Sequence, residues 1–93
     1  MSKQEDFYTK LRTSLSETTT FPSEYLYKFI IPSDKDKQIQ LESMFNHMGA
    51  VIKSKKSKNG KYTSISIRLI AKNVDEIISK YEEVAVIKGV ISL

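Results

Sequence analysis

Residues 50–71 read AVIKSKKSKNGKYTSISIRLIA, and the four residues at their centre, Lys58-Asn59-Gly60-Lys61, decide the fold. Asn-Gly between two segments rich in β-branched residues is the strongest short-range hairpin signal, because both residues tolerate positive φ in a two-residue turn. Such a turn fixes the register, so that partner numbers sum to 119 and Ile52 faces Ile67, Lys53 faces Ser66, Ser54 faces Ile65 and Lys55 faces Ser64. The two faces of the hairpin then separate by chemistry. Ile52, Ile65, Ile67 and Leu69 share one side, and Lys53, Lys55, Tyr62, Ser64, Ser66 and Arg68 share the other.

Immediately before the hairpin, Leu41, Met44, Phe45 and Met48 fall at i, i+3, i+4 and i+7, the spacing of one helical face, and Gly49 supplies a left-handed terminator. Ser33 is placed to cap that helix by accepting from the amide of Asp36. Upstream again, Tyr25 to Ile31 is aromatic and β-branched and closes at Pro32, which reads as a strand. With Lys28 pointing to water, alternation sends Tyr25, Tyr27, Phe29 and Ile31 inward and leaves Leu26 and Ile30 on the outer face. After the hairpin, Asn73 and Glu76 open a second helix in capping-box fashion, carrying Val74, Ile77, Ile78 and Tyr81 on one stripe. Val86 to Leu93 reads as a last strand, with Gly89 marking a bulge or a close approach.

The order is therefore βαββαβ. Two amphipathic helices need one apolar sheet face to cover, which gives an α+β, ferredoxin-like sandwich: a four-stranded antiparallel sheet with both helices on one side. Tyr8, Leu11 and Leu15 form one face of a short N-terminal helix ahead of this unit. Residues 1–20 read as that leader helix and a Thr-rich linker, and residues 21–93 as one domain. An isolated helix this short is marginal in water, so it must dock if it is ordered.

Composition bounds the function. Ninety-three residues with 40% hydrophobic content suit one small domain. With no cysteine, disulfides, thiolate metal sites and cysteine nucleophiles are excluded. No apolar run approaches the roughly 20 residues of a membrane helix, and the polar start, Met1 to Asp6, is unlike a secretory signal, so a cytoplasmic location without membrane attachment is expected. The net charge of +4 is local, because Lys53, Lys55, Lys56, Lys58 and Lys61 bring five positive charges with no acid among them.

Phe21-Pro22 followed by Tyr25 and Lys28, the run Ser57-Lys58-Asn59-Gly60-Lys61-Tyr62-Thr63-Ser64-Ile65-Ser66-Ile67, and Ala71 through Tyr81-Glu82-Glu83 together resemble the YbeD-like family of small bacterial proteins of unknown function. The resemblance covers roughly residues 21–93. That family is similar in fold to the ACT regulatory domains, βαββαβ modules that bind amino acids or similar metabolites at dimer interfaces and tune enzymes. The resemblance thus implies an ACT-like fold and a regulatory or binding role. It departs from ACT ligand loops at Ile31-Pro32-Ser33-Asp34, which has no glycine.

Four candidate sites follow. Ser33 and Asp34 are the ligand-loop residues, since a helix N-terminus offers free amides and Asp34 could take an ammonium group. Lys53, Lys55, Lys56, Lys58 and Lys61 form a candidate polyanion surface, nucleic acid included, against the plainer reading that lysines on a hairpin discourage edge pairing. Leu26, Ile30 and Val90 on the open sheet face are the candidate interface, for a homodimer or a regulated protein partner. His47, the single histidine, reads as a surface group near a helix C-terminus. The acidic pairs Asp34/Asp36 and Asp75/Glu76 stand in first helical turns where the dipole favours them, and Glu82/Glu83 lacks a third ligand, so no metal or cofactor is expected. An RNA recognition motif would need two or three stacking aromatics where only Tyr62 is offered. No nucleophile, base and oxyanion donor can be assembled, so the expectation is a non-catalytic module.

Overall fold

A computed structural model describes residues 3–93, with side chains from Asp6 onward. The chain runs α1 (Lys3–Thr18), β1 (Ser23–Pro32), α2 (Lys35–Ser43), a 3-10 turn at Asn46–Met48, β2 (Val51–Lys56), β3 (Tyr62–Ala71), α3 (Val74–Val84) and β4 (Ile91–Ser92). The sheet order is β2-β3-β1-β4 with every pairing antiparallel. This is the ferredoxin-like arrangement, preceded by a helix.

Alternation along β1 and β3 makes the sheet two-sided. Tyr27, Phe29 and Ile31 from β1 are fully buried, as are Ile65, Ile67 and Ala71 from β3. Leu41 of α2, Phe45 just after it, and Ile77, Tyr81 and Val84 of α3 close over them. Aromatic rings dominate this layer. The Tyr27 ring centroid lies 4.8 Å from that of Tyr25, 5.1 Å from Tyr81 and 5.2 Å from Phe45, and aromatic pairs at these separations contribute about 0.5–1.5 kcal/mol each beyond area burial.

The hairpin register is the one that the Asn-Gly signal predicts: Ile52 faces Ile67 and Lys55 faces Ser64. Its turn is longer than two residues. Ser57 N–H donates to the Tyr62 carbonyl at 2.8 Å and Gly60 N–H to the Ser57 carbonyl at 2.9 Å, so Lys58 to Lys61 form the loop. Gly60 has φ 73°, whereas Asn59 does not take positive φ. Instead the Asn59 side chain accepts from Lys61 N–H at 3.0 Å and from the Ser57 hydroxyl at 2.8 Å. The register survives because the loop grew by one residue on each side.

Three other boundaries differ from the sequence reading. Asp34, not Ser33, caps α2, accepting from the amides of Asp36 and Lys37. Ser33 is held by a hydroxyl contact of 3.0 Å with Thr63. Helix α2 stops at Ser43, and Phe45 and Met48 reach the core from the following 3-10 turn, which ends at Gly49 with φ 67°. Lys80 of α3 holds that end: its ammonium donates to the Met44 carbonyl at 2.8 Å and to Glu83 at 3.1 Å, and sits 5.5 Å from the centre of the Phe45 ring. The third difference is the last strand, which pairs only over Ile91 and Ser92, because the chain turns through residues 85–89 first. Gly89 there has φ 83° and lies so close to Pro32 that a Cβ would come within 2.9 Å of the proline ring.

Helix α1 docks. Its Phe7 ring meets Tyr81 edge-on at 5.8 Å, Arg12 pairs with Asp75, and Tyr8, Leu11 and Leu15 pack against the core. These partners belong to α3 and the helix side, so the outer sheet face is left to solvent.

One core group lacks a partner: the Tyr27 hydroxyl, buried with no hydrogen bond among the described residues. Tyr25 and Tyr81 share theirs at 2.8 Å. Burial pushes the Tyr27 and Tyr81 phenols well above their ordinary value of 10, the hydrogen bond to Tyr25 adding to the effect at Tyr81. The unfolded chain loses these protons from about pH 10 while the folded chain keeps them, so stability is intact below that pH and falls as pH rises beyond it. Tyr27→Phe removes an unsatisfied donor, and urea unfolding should show stability unchanged or raised by about 1 kcal/mol, with a shallower alkaline decline. A loss of more than about 1 kcal/mol would mean that the hydroxyl has a partner.

Candidate functional site

The register places each outward side chain. From β2 these are Val51, Lys53 and Lys55; from β3, Tyr62, Ser64, Ser66, Arg68 and Ile70; from β1, Glu24, Leu26, Lys28 and Ile30. Ile91 stands opposite Ile30, and Leu93 N–H donates to the Lys28 carbonyl at 2.9 Å. The face is therefore a mosaic. Leu26, Val51, Tyr62, Ile70, Ile91 and Leu93 are each at least 46% exposed, and they are six of the nine large apolar side chains exposed among the described residues. Four cations, Lys28, Lys53, Lys55 and Arg68, stand among them with one acid, Glu24, which lies 3.9 Å from Arg68.

Two of the three interface residues read from sequence, Leu26 and Ile30, are on this face. Val90 is not. Ile91 pairs with Ile30 and so takes the outward position, which turns Val90 toward the helices, where it packs against the core and lines a hollow of about 330 Å³ with Phe7, Tyr8, Tyr81, Ala85 and Ser92. Gly89, with φ 83°, belongs to the turn just before Val90, so the strand expected from Val86 starts only at Ile91. Ile91, Val51 and Ile70 escaped the sequence reading. The 119 register already contained Val51, as the partner of Arg68, and β1 to β3 pairing brings Ile70 beside Glu24.

The five lysines divide between two hollows and the turn. Lys55, Lys56 and Lys58 line a hollow of about 380 Å³ together with Ile30, Ser57, Tyr62 and Ser64. Lys53 belongs instead to a shallow depression of about 30 Å³ between Leu26, Val51, Ser66 and Arg68. Lys61 lines neither. Ser33 and Asp34 do meet in a hollow, of about 200 Å³, with Lys35, Gln38, Lys56 and Thr63. Their polar atoms are committed to local structure: one Asp34 carboxylate oxygen to two helix amides and the Ser33 hydroxyl to Thr63.

His47 is exposed and borders a further hollow of about 390 Å³ with Met48, Ile70, Lys72, Glu76 and Lys80. No serine, threonine or tyrosine hydroxyl lines it, so the imidazole has no nucleophile to activate there. Among the described residues no three His, Asp or Glu side chains converge on a point that could hold a metal ion. Nor is any described helix long and apolar enough to cross a membrane.

A family profile described as "Protein of unknown function (DUF493)" matches residues 16–93. Comparison with curated proteins and with solved structures finds no match.

The capping geometry gives Asp34 a structural task that can be measured. Asp34→Ala should lower unfolding stability by about 1 kcal/mol, a shift of about 4–8 °C in Tm for a domain of this size, and Asp34→Asn should retain most of it. An unchanged Tm for Asp34→Ala would return the carboxylate to the list of candidate ligand groups.

Proposed function

Because the chain belongs to the YbeD-like family of proteins of unknown function (DUF493), whose name carries no activity, we propose from the geometry that it is a non-catalytic binding module whose open sheet face receives an acidic, partly apolar segment of another protein. The observation that carries this reading is the placement of six large apolar side chains and four cations on the one sheet face that neither α2, α3 nor the docked α1 covers. Large apolar side chains exposed together on one face of a domain mark interaction sites.

Charge selects among the occupants. A second copy stacked on this face would set Lys28, Lys53, Lys55 and Arg68 against the same four cations, and like-charge juxtaposition costs several kcal/mol. An acidic segment meets them with opposite sign. Nucleic acid also carries that sign, yet its bases need aromatic platforms on the central strands. β1 and β3 present Leu26, Ile30, Ser64 and Ser66 there instead, with Tyr62 at the margin. A metabolite in the Ser33-Asp34 hollow would compete with the cap of α2. A regulatory role fits the same surface, since docking on a rigid sheet needs no chemistry from the module itself.

A photoreactive residue at Ser66, at the centre of the face, should give one discrete adduct with a different protein in the native host cell. The same residue at Glu82, exposed on α3, should give none, and Leu26→Glu or Arg68→Glu should reduce the Ser66 adduct severalfold. Equal labelling from both positions, or an adduct at twice the mass of the chain, would contradict the proposal.

A further inference from the structure

The lysine hollow at the hairpin has features that the open face alone does not explain. It is lined by Lys55, Lys56 and Lys58 together with Ile30, Ser57, Tyr62 and Ser64. No acid lines it. The ion pairs among the described residues join Arg12 to Asp75, Arg68 to Glu24 and Lys80 to Glu83, so none of them engages the three ammonium groups, although Lys56 also borders the hollow of Asp34. Three cations around one concavity add their fields and favour a multiply charged anion.

The remaining lining is not that of a bare anion site. Tyr62 is 48% exposed, and with Ile30 it gives the hollow an apolar side against which a planar ring can lie. The volume of about 380 Å³ falls within the range of about 300–1,000 Å³ usual for small-molecule sites. The loop that sets Lys58 and Tyr62 is braced beforehand. The Asn59 side chain accepts from Ser57 and Lys61, and the Ser57 hydroxyl accepts from Tyr62 N–H at 3.2 Å. Pre-organisation of this kind lowers the ordering cost of binding.

We propose that this hollow is a nucleotide site: the phosphates lie among Lys55, Lys56 and Lys58, and the base lies against Tyr62 and Ile30. The ligand class is an organic phosphate with a planar ring, held as a free mononucleotide. The site shares Lys55, Tyr62, Ser64 and Ile30 with the margin of the open face but excludes Leu26, Ser66 and Arg68, so substitutions at those three separate it from the protein-binding reading.

The test is a titration of the ¹⁵N-labelled full chain with ATP and AMP, with adenosine, pyrophosphate and a six-nucleotide single strand as comparisons, at low and moderate salt. ATP should produce saturating shifts centred on residues 55–58 and 62–64, and adenosine should bind at least about tenfold more weakly, because it lacks the charge-assisted contacts. Lys56→Gln with Lys58→Gln should weaken ATP by about tenfold or more, while Lys10→Gln with Lys88→Gln leaves it unchanged. Tyr62→Ser should weaken ATP and leave pyrophosphate unaffected, which separates ring contact from charge alone. Leu26→Glu should not alter ATP binding even where it abolishes protein docking. The same spectra show whether each variant is folded. Unsaturable shifts spread over lysines throughout the chain, an ATP affinity indifferent to Tyr62, or perturbation by the oligonucleotide alone would each overturn the proposal.

Discussion

The structure depends on one column of side chains, Tyr25, Tyr27, Phe29 and Ile31, all projecting from the same side of β1. β1 is a central strand, bonded to β3 along its whole length and to β4 near its end. Its inward rings are what α2, the turn after it and α3 close upon, through Leu41, Phe45, Ile77 and Tyr81. Truncating a buried Phe typically costs about 3–5 kcal/mol, a large share of the about 5–15 kcal/mol that holds a domain together. Lys80 shows how tightly the layer is tied, since one largely buried ammonium serves the Met44 carbonyl, Glu83 and the Phe45 ring together.

Strand geometry then dictates the other face. Because alternate residues of a strand point to opposite sides, a column that commits every odd position of β1 to the core commits Leu26, Lys28 and Ile30 to the outside. With both core helices and α1 on the first side, nothing in the described chain covers the second. Its composition is what turns an uncovered face into a candidate surface. A purely protective face would carry charge without six large apolar groups, and a core face would carry no cations. The lysine hollow grows from the same geometry: where β2 and β3 run into their loop, outward Lys55, Tyr62 and Ser64 meet Lys56 and Lys58 at the sheet margin.

Much of this was legible in the sequence, and the exceptions have physical causes. The hairpin register follows from Asn59-Gly60 and from the separation of Ile52, Ile65 and Ile67 from Lys53, Lys55 and Ser66, because a slip by one residue would bury lysines. The turn length is not legible in the same way: a four-residue loop centred on the same pair keeps the register, so residue pairing does not distinguish it from a two-residue turn. At α2, Ser33 and Asp34 are both good caps, and the choice fell to Asp34 because Thr63 engages the Ser33 hydroxyl, a contact 30 residues away in the chain. Met44, Phe45 and Met48 keep a helical spacing although α2 ends at Ser43, since a 3-10 turn can aim the same side chains into the core. Val90 shows the limit most clearly. A strand of two paired residues has too little alternation to read, and Gly89 belongs to the turn before it. The candidate sites were half legible: the lysines were visible as a run, but only the fold separates Lys53 and Lys61 from the three that share a hollow.

The claim on which the account rests is that β1 has one face committed to the core and one free. Equilibrium unfolding of Leu26→Asp and Phe29→Asp, on opposite sides of the same strand, tests it most directly. Leu26→Asp should change stability by no more than about 0.5 kcal/mol, as exposed substitutions usually do, while Phe29→Asp, which buries an unpaired carboxylate in place of a ring, should leave the chain unfolded or lose more than about 4 kcal/mol. Comparable losses for the two variants would mean that the outer face is buried as well, and the division between core and binding surface would not hold.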